Sequence, residues 1–158
     1  MKLVANLRLK PTPEQETALR ETLERCNEAC NWLSLQAFDA KTFRQYDLHK
    51  TFYKEIRERF DLAAQATVRC IAKVADAYKI DQKKVRVFRK YSAQPYDDRI
   101  FRLVANDAVS IWLLHGREKI LFVCGEHQRR LLGHRKGERS EEHTSELQSH
   151  LNLVCRLL

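Results

Sequence analysis

The strongest constraint on the fold is a change of hydrophobic period between residues 2 and 20. Leu3, Ala5, Leu7 and Leu9 alternate with Lys2, Asn6, Arg8 and Lys10, interrupted only by Val4. An extended chain with this pattern has one apolar and one basic face. Thr12 is then placed as a helix N-cap, Pro13 at the first helical position, and Gln15 where it returns a capping-box bond. From Leu19 the apolar residues recur at Leu23, Cys26, Cys30 and Leu33, steps of four and three that draw one stripe along a helix, with Trp32 extending it. A strand that stands alone before a run of helices finds its partners most economically in a later sheet.

Two further helical stretches follow. One carries Leu48, Phe52, Tyr53, Ile56 and Phe60; the other runs from Leu62 to Tyr78 with Val68, Ile71, Val74, Ala75 and Tyr78 on its packed side. After Lys79 the texture changes to short segments rich in β-branched and aromatic residues: Val85–Phe88, Arg99–Val104, Ala108–Leu113 and Arg117–Cys124. A short basic helix over Gln128–Leu132, ended by Gly133, closes this part. The expected fold class is α+β: a small antiparallel β domain, residues 1–10 and 80–138, into which a helical domain, residues 11–79, is inserted.

A chain of 158 residues holds one ordinary domain or two small ones. Hydrophobic residues at 44% and charged residues at 32% are those of a folded globular protein rather than of a disordered one. Twenty-nine Lys and Arg against 21 Asp and Glu give a net charge of +8, which favours polyanionic partners through counterion release. No run approaches the ~20 apolar residues that span a bilayer, and the first residues are too briefly apolar for a secretory signal. The five cysteines include no CxxC pair and suit free thiols in a reducing compartment. A cytoplasmic protein without a membrane partner is expected.

Residues 139–158 stand apart. The string RSEEHTSELQSH at 139–150 has no hydrophobic period and resembles the translation of a widely used sequencing-library adapter. The expectation is an artefactual tail, with the natural sequence continuing differently after Glu138. Without it, 27 basic and 18 acidic residues leave +9.

Catalytic constellations are scarce. Cys26 and Cys30, four apart on a helix, have the spacing of two metal ligands, but no second pair follows at finger-like distance, and both fall on the apolar stripe. His49, His115, His127, His134, His143 and His150 are scattered and form no local triad motif. All four glycines lie beyond residue 115, so the helical part has no phosphate-cradling loop. Asp97 and Asp98, next to Arg99 and Arg102, read as a surface turn before a strand rather than as nuclease carboxylates. An enzyme acting on a small metabolite finds no supporting set of residues.

Basic clusters are more informative. Lys79, Lys83, Lys84, Arg86, Arg89 and Lys90 interleave with Val85, Val87, Phe88 and Tyr91. Such a strand can follow a phosphate backbone while its aromatics stack on bases, or it can be a solvated face. Arg129, Arg130, Arg135 and Lys136 form a second cluster with the same two readings.

Taken in order, KLVANLRLKPTPEQ, CNEACNWLS, LAAQATVRCIAKVADAYK, SAQPYDDRIFRL, VSIW and REKILFVCGEHQRRLL resemble the N-terminal part of TnpB, over residues 2 to 138. Members of this family, formerly called OrfB-type transposases, are transposon-encoded, RNA-guided DNA endonucleases. The resemblance implies a β wedge domain, barrel-like, with an inserted helical recognition domain, together holding guide RNA and reading a transposon-adjacent motif on duplex DNA. It implies too that the RuvC-like nuclease domain, with its divalent metal and its zinc-binding cysteines, is missing, so that this chain carries no cofactor and no catalytic residue and does not cut DNA. By the same resemblance Tyr46, Gln65 and Val68 fall where members contact the adjacent motif. On physical grounds Arg69 and Lys73, four apart on the same helix, add phosphate contacts, while Val68 has an alternative place in the core. The nucleic-acid-binding set expected is therefore Tyr46, Gln65, Val68, Arg69, Lys73, Lys83, Lys84, Arg86, Arg89, Lys90, Arg129 and Arg130. The alternative is a free-standing basic DNA-binding module.

Overall fold

The computed structural model describes residues 3–105, 107–137 and 151–156, with side chains over 6–104 and 107–132. Strand β1 (Leu3–Lys10) leads into three helices, α1 (Pro13–Ala40), α2 (Gln45–Phe60) and α3 (Ala64–Ile80). Strands β2 (Phe101–Ala105), β3 (Ala108–Leu113) and β4 (Gly116–Val123), helix α4 (Glu126–Gly137) and strand β5 (Leu151–Arg156) follow. The mixture is α+β, as the switch of period requires. No helix among the described residues is long and apolar enough to cross a membrane.

The sheet is open, in the order β2-β3-β4-β1-β5. β1 pairs antiparallel with β4, Arg8 opposite Val123, Leu9 opposite Phe122 and Lys10 opposite Leu121, so the lone first strand does find its partner late in the chain. The expected barrel-like closure is not formed among the described residues, because β2 and β5 stand at opposite ends of the order. Within residues 139–158, expected to be an artefactual tail, β5 runs parallel to β1, with Leu3 opposite Leu151 and Arg8 opposite Arg156. The adapter-like string at 139–150 lies outside the described residues.

Contacts divide the chain into two compact units: Met1–Glu16, Leu103–Ser110 and Lys119–Leu158 form one, and Thr17–Arg102 with Ile111–Glu118 the other. In the first, Leu7, Leu9, Ala108, Val109, Ile120 and Phe122 are buried. Their neighbours in sequence, Asn6, Arg8, Lys10 and Leu121, are exposed, which is the period of two made visible. The first turn of α1 belongs here. Thr12 N donates to Gln15 Oε1 at 3.1 Å and Gln15 N to Thr12 Oγ1 at 3.3 Å, closing the capping box, and Gln15 Nε2 reaches the Lys119 carbonyl at 3.0 Å. Helix α4 is longer than the sequence reading, because it continues through Gly133 to Gly137. One glycine inside a helix costs only ~1 kcal/mol relative to alanine and does not end it.

The second unit is built on the three long helices. Its core gathers Cys26, Ala29, Cys30, Leu33 and Ala37 from α1, Leu48 and Ile56 from α2, and Cys70, Ile71, Val74, Ala75 and Tyr78 from α3. Trp32 meets Phe52 and Phe60 edge-on, each at 6.0 Å between centroids, an arrangement that favours aromatic packing beyond area alone. Lys41 and Asp61 end α1 and α2 in the left-handed region, at φ 52° and 50°. At the first of these, Thr42 N donates to the Ala37 carbonyl at 3.0 Å, the long bond of a Schellman closure made without glycine.

One expected strand is absent. Val85–Phe88 pairs with no other strand among the described residues. The segment lies against α1 instead, which satisfies its backbone by other means.

Candidate functional site

Helix α1 carries two stripes. Cys26, Cys30, Leu33 and Ala37 face the core, while Asn27, Asn31 and Ser34, each one residue further on, lie about 100° round the helix. The second stripe is polar and is covered by the segment 86–92. Asn31 Nδ2 donates to the Phe88 carbonyl at 2.9 Å, and Phe88 N donates to Asn31 Oδ1 at 2.7 Å. The asparagine amide thus offers the same donor and acceptor pair that a neighbouring strand would.

Ser34 and Asn27 continue the ladder on either side. Ser34 Oγ donates to the Arg86 carbonyl at 2.5 Å, and Arg86 N donates to the Tyr78 hydroxyl at 3.3 Å. Tyr78 in turn donates to the Ser34 carbonyl at 2.9 Å. Asn27 Nδ2 lies 3.1 Å from the Lys90 carbonyl, 3.0 Å from that of Ser92 and 2.9 Å from that of Leu23. Its two hydrogens are shared among three acceptors, as in a bifurcated bond. Asn27 and Ser34 are 1% and 0% exposed, so these bonds form away from water and stay made.

The expected cations separate into two kinds. Lys73 points inward: its Nζ donates to Asn27 Oδ1 at 2.6 Å and lies 4.9 Å from the Phe88 ring centroid. Burial holds its pKa below the ordinary lysine value. Arg69 is drawn to Asp97, Nε to Oδ2 at 3.8 Å, and Gln65 Nε2 donates to the same carboxylate oxygen. Arg99 Nη1 closes that network on Gln65 Oε1 at 3.2 Å. Asp97 also starts the expected turn, its carbonyl accepting from Ile100 N and Phe101 N, so it is both a turn residue and the hub of this network. Arg86 lies 3.9 Å from Asp81 and Lys90 3.3 Å from Glu24, the latter hydrogen bond raising the Lys90 pKa.

Lys83, Lys84 and Arg89 are exposed, and among the described residues their charged ends pair with no acid. They flank or sit on the held segment, beside Val87 at 80% and Tyr91 at 50% exposure. Tyr46, at the start of α2, is 75% exposed, and Val68 is half-buried and outside the central core. Arg129 and Arg130 are exposed on α4, in the other unit. The structure therefore gathers Arg86, Arg89 and Lys90 on the segment 86–92, with Lys83 and Lys84 just before it, and it gathers Gln65 and Arg69 in the Asp97 network. Sequence reasoning passed over Asn27, Asn31 and Ser34, and gave Tyr78 a packing place only. The signal of the three was present as polar residues at steps of four and three beside an apolar stripe.

Beneath this segment lie three buried thiols. Cys30 Sγ is 3.8 Å from the Cys70 carbonyl, Cys70 Sγ is 3.8 Å from the Cys26 carbonyl, and Gln94 Nε2 donates to Cys70 Sγ at 3.4 Å. Hydrogen bonds from Cys26 and Cys30 hold the Cys70 thiol well below its usual pKa, and the same bonds, with burial, push the other two up. Cys26 and Cys30 thus take the packing role that their place on the stripe allows. Among the described residues no group of His, Cys, Asp and Glu is arranged to hold a metal ion.

Compared with known proteins, the chain matches no family model, no curated protein and no solved structure.

Proposed function

We propose that the chain is a nucleic-acid-binding module in which Arg89 on the held segment, with Lys83 and Lys84 just before it, follows a phosphate backbone. The observation that carries this reading is the fixing of an exposed basic segment by buried side chains of α1. Holding the cations in place removes much of the ordering cost that a mobile basic loop would incur on binding. Val87 and Tyr91 beside them offer apolar and aromatic surface for bases, a combination suited to strands with unpaired bases. The net charge of +8 adds a long-range attraction.

The finer reading rests on the order of motifs resembling TnpB. On it, the chain is the N-terminal part of an RNA-guided DNA endonuclease, a wedge with an inserted recognition domain, binding guide RNA and transposon-adjacent duplex DNA without the nuclease domain. Tyr46 and Val68 would then contact DNA, while Gln65 and Arg69 would do so from the Asp97 network. Lys73 would act by positioning Asn27 rather than by touching phosphate.

Binding of a structured RNA and of a duplex oligonucleotide by the full chain, measured across a salt gradient, tests the reading. The expected result is a steep fall of affinity with salt, and a slope reduced by about 2 to 3 in the triple variant Lys83→Ala, Lys84→Ala, Arg89→Ala, at roughly 0.9 per neutralised duplex phosphate. Retention that does not change with salt overturns it.

A further inference from the structure

Hydrogen bonding over residues 86–89 has a period of two. The backbone groups of Arg86 and Phe88 turn toward α1, where Tyr78, Ser34 and Asn31 receive them, and a turn closed by Ser92 N donating to the Arg89 carbonyl at 3.0 Å ends the extended stretch before Asn27 takes the Lys90 and Ser92 carbonyls. In an extended chain the groups of alternate residues point to opposite edges. The N–H and C=O of Val87 and the N–H of Arg89 therefore point away from α1, and among the described residues they meet no partner. The side chains follow the same alternation: Arg86 and Phe88 are half-buried, whereas Val87 and Arg89 are exposed. Residues 86–89 are thus a short extended stretch paired on one edge by side chains and open on the other.

We propose that this outer edge is a docking edge for an extended acidic peptide segment of a protein partner, which adds to it as a strand. Charge selects the occupant. Arg89 is exposed on the segment and Lys83 and Lys84 are exposed just before it, while the nearby acids Asp81 and Glu24 are already engaged by Arg86 and Lys90. A peptide also fits what a phosphate does not. Phosphate oxygens accept from the amides of Val87 and Arg89 but offer nothing to the Val87 carbonyl, while a strand supplies a donor for it. The exposed Val87 side chain adds a place for a β-branched neighbour across the pair. The inference goes beyond the nucleic-acid reading, although both occupants draw on the same cations.

The test titrates the full chain with a fluorescent peptide of alternating glutamate and valine, and with the same peptide N-methylated on the amides of one edge. The plain peptide is expected to bind. The methylated peptide, and Val87→Pro with the plain peptide, should each weaken binding by about tenfold, the loss of one or two ladder bonds. Proline removes the outward amide and leaves the pairs at Arg86 and Phe88 in place, and an unchanged unfolding midpoint confirms it; where the variant fails to fold, the methylated peptide decides. Equal binding of both peptides overturns the proposal, as does undiminished binding by folded Val87→Pro. Binding of a duplex oligonucleotide with no binding of the peptide also overturns it and leaves the nucleic-acid reading standing. Peptide binding without oligonucleotide binding does the reverse.

Discussion

Asn31 shows how much one side chain can decide. Its amide supplies both hydrogen bonds of Phe88, so Asn31→Ala leaves the Phe88 amide and carbonyl without partners at a half-buried site. A loss of about 2 to 3 kcal/mol is expected in urea unfolding, more than an exposed helix position gives. Lys73 makes a prediction in pH. Burial lowers its pKa in the fold below the usual 10.5, so the unfolded chain binds the extra proton in the window between the folded value and 10.5. Stability contributed by this group therefore rises with pH through that window. Lys73→Met should flatten that alkaline rise, and at neutral pH should cost about 1 to 3 kcal/mol because Asn27 Oδ1 loses its donor. Unfolding curves at neutral and alkaline pH for the two chains separate the effects.

Among the elements, α1 carries the most consequence because it presents two stripes to two different neighbours. The apolar stripe was plain in the spacing of Leu19, Leu23, Cys26, Cys30 and Leu33, all of which are buried except the half-buried Leu23. The segment Val85–Phe88 has strand composition and an extended backbone, yet it pairs with side chains instead of a strand. Composition reports that a segment suits an extended half-buried surface, and the choice of partner lies outside it. The ends of the helices are readable more locally. Asp61 closes α2 in the left-handed region with a negative charge at the negative end of the helix dipole, and both features are unfavourable there. Asp61→Gly is expected to raise stability by about 0.5 to 1 kcal/mol, seen as a higher urea midpoint with an unchanged slope.

At the scale of the whole molecule, burial sorts the four cysteines whose side chains are described. Cys26, Cys30 and Cys70 are fully buried, whereas Cys124 is partly exposed in the other unit. Alkylation followed by mass mapping should modify Cys124 first and reach the other three only at the rate at which the helical unit opens. Simultaneous modification of Cys26 and Cys124 in native buffer would show that the helical core is open to solvent. The distribution of charge also belongs to this scale. A formal +8 does not say which cations face water, and four of the expected ones, Arg69, Lys73, Arg86 and Lys90, are engaged within the helical unit.

The sequence by itself determined those features that depend on near neighbours. Alternation made β1, the Thr12–Gln15 pair closed the start of α1, and steps of three and four placed the helical core, because each is governed by geometry within one turn or one pleat. Partners far apart in the chain were decided only by tertiary structure. The meeting of β1 with β4, the Asp97 hub and the clamp of Asn27, Asn31 and Ser34 on residues 86–92 all join side chains and backbone across long stretches of sequence. Buried polar groups must be satisfied, but the requirement does not name the partner. Hence the basic cluster could be read from the sequence, while its division into engaged and outward-facing cations could not.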